Sequence, residues 1–108
     1  MSGYDPDAVF RALEEGAEEW TEAQFLADQM EKMGEILIAK MMLEAKDDGV
    51  SIGLCKEHAR ARPEWLTHIK GELEARRGAE RARAKYRNLQ ALADARRTQE
   101  STIRALSR

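Results

Sequence analysis

A run of basic residues is the part of this sequence whose side chains are best suited to chemistry. Residues 76–87 read RRGAERARAKYR, in which six of the twelve residues are Lys or Arg and one is acidic. Such side chains bind the phosphates of a nucleic acid, and a tyrosine ring can stack on a base. The candidate nucleic-acid contacts are Arg76, Arg77, Arg81, Arg83, Lys85, Tyr86 and Arg87.

The spacing of this basic run leaves a second interpretation open. At about 100° per residue, the six cationic side chains would spread around most of a helix instead of sharing one face. A solvated surface, or the basic half of an acidic–basic contact between helices, explains the run as well. We favour the second interpretation over contact with nucleic acid.

One cysteine and two histidines are the candidates for metal binding or nucleophilic catalysis. Cys55 and His58 would share one helix face, and His68 follows ten residues later. A structural zinc site needs four ligands, and these three residues have no second pair to complete it. No asparagine or oxyanion-donor loop is recognisable that would serve a Cys–His pair. We therefore expect no metal ion and no cofactor.

Paired carboxylates occur at Glu14-Glu15 and Glu18-Glu19. They could act as general acids or bases only inside a pocket, and on an exposed helix they form a solvated surface. The chain also has no glycine-rich phosphate loop and no HExxH motif. We expect a protein without enzymatic activity.

Charge is distributed unevenly between the two halves of the chain. The 108 residues carry a net charge of −2. Residues 1–50 hold four basic and thirteen acidic side chains, a charge of −9, and residues 51–108 hold fourteen basic and seven acidic ones, a charge of +7. Halves of opposite sign attract each other, within one chain or between two chains.

The composition indicates one soluble helical domain. Charged residues make up 35% of the chain and aromatic residues 6%, which is typical of helix-rich and coiled-coil proteins. No run approaches the eighteen apolar residues of a membrane span, and the start MSGYDPD does not resemble a secretory signal. The single cysteine fits a reducing compartment. We expect a cytoplasmic protein that does not bind membranes.

Helix-start and helix-stop signals divide the chain into four helices. Asp5-Pro6 can cap and open a first helix that weakens near Gly16, and Thr21 with Gln24 forms a capping box for a second. The Asp-Asp-Gly turn at 47–49 ends the second helix, and Pro63 opens the last one. The predicted helices cover residues 6–19, 22–46, 52–60 and 64–106 of a single domain, 1–108.

An apolar stripe on the second helix predicts an interface. Large apolar residues recur there at steps of three and four, and the end of the helix is apolar around much of its circumference. An adaptable peptide groove is the alternative to a core or dimer interface. The predicted interface residues are Leu26, Met30, Met33, Leu37, Ile38, Met41 and Met42.

The last helix carries a weak heptad seam of mostly small residues. The seam consists of Ala75, Ala79, Ala82, Tyr86, Leu89, Ala93, Arg96, Glu100 and Ile103. Alanine allows helices to approach closely but buries little area. The fold class we predict is therefore all-α, an elongated helical hairpin or coiled coil with a long C-terminal helix. Self-association would complete its core, most simply as a dimer with four helices.

Four segments carry a resemblance to a group of phage proteins. They are residues 57–65 (EHARARPEW), 74–77 (EARR), 82–86 (ARAKY) and 96–102 (RRTQEST). With these segments, the chain resembles the small helical accessory proteins of tailed bacteriophages and prophages, found beside recombination and replication genes. The resemblance covers about residues 50–108 and implies a cytoplasmic accessory protein in a bacterial host. It implies no catalytic or ligand-binding residues.

Three functions follow from these patterns. The first is a non-catalytic adaptor that self-associates and binds a protein partner, for example in DNA recombination or replication. The second is a DNA-binding accessory factor, and the third is a phage inhibitor of a host defence or replication protein. The position of residues 76–87 separates the first two: a strip that faces the carboxylates of residues 14–22 and of Glu31 and Glu35 favours the adaptor.

Overall fold

The chain folds into one long helical hairpin. A computed structural model describes residues 5–107, so residues 1–4 and 108 of the predicted domain lie outside it. Helix α1 spans Pro6–Asp47, a 3₁₀ turn spans Ile52–Leu54, α2 spans Cys55–Arg60 and α3 spans Pro63–Leu106. The described chain measures 83 × 19 × 16 Å and contains no strand. The all-α, elongated hairpin with a long C-terminal helix is confirmed.

Local signals in the sequence set the ends of the helices. The Asp5 side chain accepts a hydrogen bond from the backbone N–H of Asp7 at 3.1 Å, which satisfies one free donor at the start of α1. At the end of α1, Gly49 adopts a φ of +90°, a left-handed conformation that costs glycine little. Before α3, Arg62 is extended (φ −76°, ψ 143°), as the residue before Pro63 prefers.

The structure corrects the predicted break between the first two helices. The segments 6–19 and 22–46 belong to the single helix α1. The Thr21 hydroxyl does not cap a helix start but donates to the carbonyl of Ala17 at 2.8 Å, one turn back. Gly16 is buried, and a Cβ there would lie 3.2 Å from a methyl carbon of Leu89. Gly16 therefore allows α3 to pack closely and does not end the helix.

Helices α1 and α3 run antiparallel and pack along most of their length. Their seam is built from small residues: Ala27 and Gly34 are buried on α1, and Ala79 and Ala93 are buried on α3. The spacings of seven and fourteen residues are those of a coiled coil. No large side chain in the described residues is fully buried. The core of this hairpin is therefore thin.

The predicted alanine seam of α3 lies against α1 over only part of its length. Its members from Ala75 to Ala93 are buried or half-buried. Arg96 is exposed, and Ile103 is 50% exposed. At the other end of the hairpin, α2 packs on α1 and buries Cys55 and Ala59.

Candidate functional site

Two residues of the basic run form ion pairs with carboxylates of α1. Arg76 lies 3.2 Å from Glu31 and 3.3 Å from Glu72 of its own helix. Lys85 lies 3.1 Å from Glu19. These two contacts join the acidic helix to the basic one, so part of the basic run lies against carboxylates of the same chain, in exposed pairs that contribute little stability.

The other members of the run point in several directions. Arg81 pairs with Glu74 of its own helix at 3.6 Å, and Arg77 and Arg87 are exposed, with no ion pair to any residue in 5–107. Arg83 is half-buried, and its Nε has no hydrogen-bond partner among those same residues. The structure does not bring the six cationic side chains together on one face.

Tyr86 packs inside the hairpin. Its ring is half-buried, and its centroid lies 5.7 Å from that of Trp20 on α1. Aromatic pairs at this separation stabilise the contact between two elements. Tyr86 therefore contributes to the packing of α1 against α3.

The predicted interface residues of α1 fall into three groups by exposure. Met41 is buried at 2% exposure, whereas Leu26 and Met33 are 50% and 52% exposed. The remaining four are half-buried, namely Met30, Leu37, Ile38 and Met42. The set therefore mixes residues packed within the hairpin with residues available to another molecule.

Exposed apolar side chains are the most prominent surface feature. Among residues 5–107, thirteen large apolar side chains are at least half exposed: Phe10, Phe25, Leu26, Met33, Ile36, Leu43, Ile52, Leu54, Leu66, Leu73, Leu92, Ile103 and Leu106. They are distributed along the whole 83 Å rod, and those that neighbour one another on one side are candidates for contact with another molecule. Leu26 and Met33 are among the predicted interface residues, whereas Ile36 is not, because it falls outside the stripe at steps of three and four.

An apolar groove of about 410 Å³ lies where the hairpin turns. It opens between the end of α1 and the 3₁₀ turn, and six residues line it: Ala39, Met42, Leu43, Lys46, Ile52 and Cys55. Cys55 is 4% exposed, and its thiol donates to the carbonyl of Ser51 at 3.3 Å. The groove extends the exposed apolar surface around the end of the hairpin.

The candidate metal ligands do not form a cluster. His68 is half-buried, its Nε2–H donates to the carbonyl of Met30 at 2.8 Å, and its ring stacks on Trp65 at 5.9 Å. His58 is exposed. Within residues 5–107, no three or more His, Cys, Asp or Glu side chains are placed to hold a metal ion. His68 joins α3 to α1, a role that its sequence position did not indicate.

A further ion pair joins α1 to the residue before α3 at the turn end of the hairpin. The Arg62 guanidinium donates to the carboxylate of Glu44 at 2.6 Å. This hydrogen bond lowers the pKa of the Glu44 carboxyl below its ordinary value, although partial desolvation acts in the opposite direction. The same hydrogen bond raises the pKa of Arg62. The pair is not predictable from the sequence, because its members are eighteen positions apart.

Known proteins give no further guide to this site. No protein-family model, no curated protein and no solved structure matches the chain. The resemblance to phage accessory proteins stays a prediction. In addition, none of the helices described between residues 5 and 107 is both long enough and apolar enough to span a lipid bilayer.

Proposed function

We propose that this protein is a non-catalytic helical adaptor that self-associates and binds a protein partner. One observation carries the proposal: thirteen large apolar side chains are at least half exposed on a hairpin that buries mainly alanine, glycine and a single methionine. Burying such surface against another chain releases roughly 25 cal/mol per Å². Association would provide the apolar core that the hairpin lacks.

The ion pairs support an adaptor more than a DNA-binding protein. Arg76 and Lys85 contact Glu31 and Glu19 of α1. Their positive charges are thus partly neutralised within the chain, which weakens attraction to phosphates. The alternative role, a phage inhibitor of a host defence or replication protein, also requires a surface that binds a protein. The phage context itself stays a proposal.

Light scattering coupled to gel filtration tests the self-association, over protein concentrations from about 1 to 200 µM, a range in which typical homodimers form. We expect a mass that rises to twice the 12.3 kDa of one chain. A mass of one chain at every concentration would contradict the proposal. Circular dichroism on the same samples verifies that the helices are intact.

A second candidate function is DNA binding, favoured by the exposed and unpaired Arg77 and Arg87 within the described chain. Fluorescence anisotropy of labelled single- and double-stranded DNA at low and high salt distinguishes the two functions. For the adaptor we expect no binding at either salt concentration. Binding to DNA would instead establish contact with phosphates if it weakens steeply with salt and is lost in the double variant Arg77→Ala, Arg87→Ala.

A further inference from the structure

One flank of the hairpin carries several exposed apolar side chains of α1. The Glu19–Lys85 ion pair at 3.1 Å marks this flank, because it bridges the two helices on one side of the seam. Leu26 and Met33 follow Glu19 at intervals of seven residues, so they lie in the same row along α1. Ile36, three residues further on, lies beside that row and is 70% exposed.

The same flank is formed by glycines on α3. Gly78 and Gly71 precede Lys85 by seven and fourteen residues, so they lie in its row. Because the helices are antiparallel, these glycines lie beside Leu26 and Met33. A Cβ at Gly71 would lie 2.9 Å from Cε of Met30, so the packing of the hairpin itself explains that glycine. A Cβ at Gly78 would meet nothing within 4 Å, so the packing of one chain does not explain a glycine there. Together, Leu26, Met33, Ile36, Gly71 and Gly78 form what we call the glycine flank.

We infer that the glycine flank binds a second copy of this chain, with the two α1 helices antiparallel across a two-fold axis. This inference rests on the proposed self-association and names its surface. Gly78 would let the second copy approach the α3 backbone closely, while the α1 side chains fill the contact. An antiparallel pair centred on residue 31 brings Leu26 of each copy against Ile36 of the other.

The charges on α1 are complementary under this symmetry. Glu22 and Lys40 are exposed and lie on the same flank. They stand at opposite ends of the row of Leu26, Met33 and Ile36. The antiparallel arrangement places Glu22 of each copy opposite Lys40 of the other, and therefore forms two ion pairs. A parallel arrangement would place like charges together instead, which costs free energy.

The charges on α3 are complementary about the same axis. Glu64 precedes Gly71 by seven residues and Arg81 follows Gly78 by three, so both lie on the glycine flank and are exposed. Within one chain Glu64 lies 3.4 Å from Arg62 and Arg81 lies 3.6 Å from Glu74, so a contact between copies would compete with these two exposed pairs. A two-fold axis that pairs Glu64 of one copy with Arg81 of the other passes α3 midway between them, between residues 72 and 73. The Glu19–Lys85 contact sets residue 31 of α1 level with residue 73 of α3. One two-fold axis therefore pairs Glu64 with Arg81 as well as Glu22 with Lys40.

The surface is tested by a matched pair of variants in the full chain. Ile36→Glu introduces a charge into the glycine flank, and Leu73→Glu introduces it at a 57% exposed site three residues from Arg76, on the opposite flank. By light scattering and sedimentation, we expect Ile36→Glu to weaken dimerisation by about tenfold or more. Leu73→Glu should dimerise like the unmodified chain, and circular dichroism should show both variants fully helical.

A charge exchange tests the antiparallel register. Lys40→Glu alone and Glu22→Lys alone should each weaken the dimer by about tenfold at low salt, because each places like charges together. The double variant should recover the original dissociation constant to within about threefold. Within one chain the two positions are about 27 Å apart along the helix, so recovery requires contact between copies.

The outcomes separate this inference from the proposed function. A chain that stays monomeric at all concentrations contradicts both. A dimer that Ile36→Glu leaves intact, or a charge exchange without recovery, overturns the glycine flank and its register but leaves self-association in place.

Discussion

Gly34 lies where α1 comes closest to His68. A Cβ on Gly34 would stand 2.8 Å from Nε2 of that ring, which is shorter than a van der Waals contact. The ring has little freedom to move, because it donates to the carbonyl of Met30 and stacks on Trp65. A glycine at this position thus allows a buried polar contact between the two long helices.

We therefore expect Gly34→Ala to destabilise the hairpin. The clash should cost about 2 kcal/mol, partly offset by the roughly 1 kcal/mol by which alanine favours a helix over glycine. Urea unfolding followed by circular dichroism, at one protein concentration, measures the difference. Gly53→Ala is the control, because a Cβ at Gly53 meets nothing within 4 Å. Equal or higher stability of Gly34→Ala would show that α1 and α3 are not held at this distance.

The Glu44–Arg62 pair should make stability depend on pH. The pKa of Glu44 is lower in the folded chain than in the unfolded one, because Arg62 donates to its carboxylate. The stabilisation is then present above the unfolded pKa and is lost as pH falls through the folded one. Glu44→Gln should be less stable than the unmodified chain at pH 7, and the difference should shrink as pH falls below the pKa of the unfolded carboxyl.

Unfolding by urea at pH 7 and pH 3 measures this dependence. The matched control is Glu35→Gln, which removes an exposed pair with Lys32 at 3.8 Å and should change stability little at either pH. A stability difference for Glu44→Gln that is as large at pH 3 as at pH 7 would argue against a charge effect.

At the scale of single elements, neighbouring residues of α1 have different roles. Leu37 is half-buried in the row of α1 that packs on α3, whereas Ile36 is 70% exposed. Leu37→Asp should destabilise the hairpin by about 3 kcal/mol, because it moves an unpaired charge into the seam. Ile36→Asp should keep the helices and lose only association.

Circular dichroism and light scattering on both variants check this prediction. Association is lost in either case, and at protein concentrations low enough for the unmodified chain to be monomeric, only Leu37→Asp should also lower the midpoint of urea unfolding. If helicity and mass stay unchanged in Leu37→Asp, Leu37 packs neither in the seam between α1 and α3 nor in the contact between copies.

The sequence predicted the hairpin but not which stripe of α1 is buried. Proline and glycine punctuation located the turn, because Gly49 and Pro63 restrict the backbone wherever they occur. Hydrophobicity favoured Leu26 and Met33 over Ala27 and Gly34, although the small residues form the seam. Small residues give no strong signal in a single sequence, because what they do is allow the neighbouring helix to approach closely, and the sequence does not show where that helix lies.

The candidate site was predictable to a similar degree. Charge asymmetry indicated that the acidic and basic helices attract each other, and Arg76 and Lys85 do contact carboxylates of α1. The pairing of Glu44 with Arg62 and the contact of His68 with Met30 depend on the register of two distant segments. The register of α1 against α3 cannot be worked out from the sequence until one contact between the two helices is known.

At the scale of the whole molecule, charge and apolar surface act together. The acidic and basic halves, −9 and +7, are brought side by side by the hairpin, so their long-range attraction is largely used within the chain. The exposed apolar residues remain on the outside of the same rod. Recognition of a partner would then depend on the contour of the surface more than on net charge.

The length of the rod also governs how the protein moves in solution. Its radius of gyration is 23.6 Å, and a compact globule of that radius would contain about 500 residues. A single chain should thus tumble slowly end over end and elute from a sizing column ahead of globular proteins of the same mass. Elution volume alone would overestimate the number of copies.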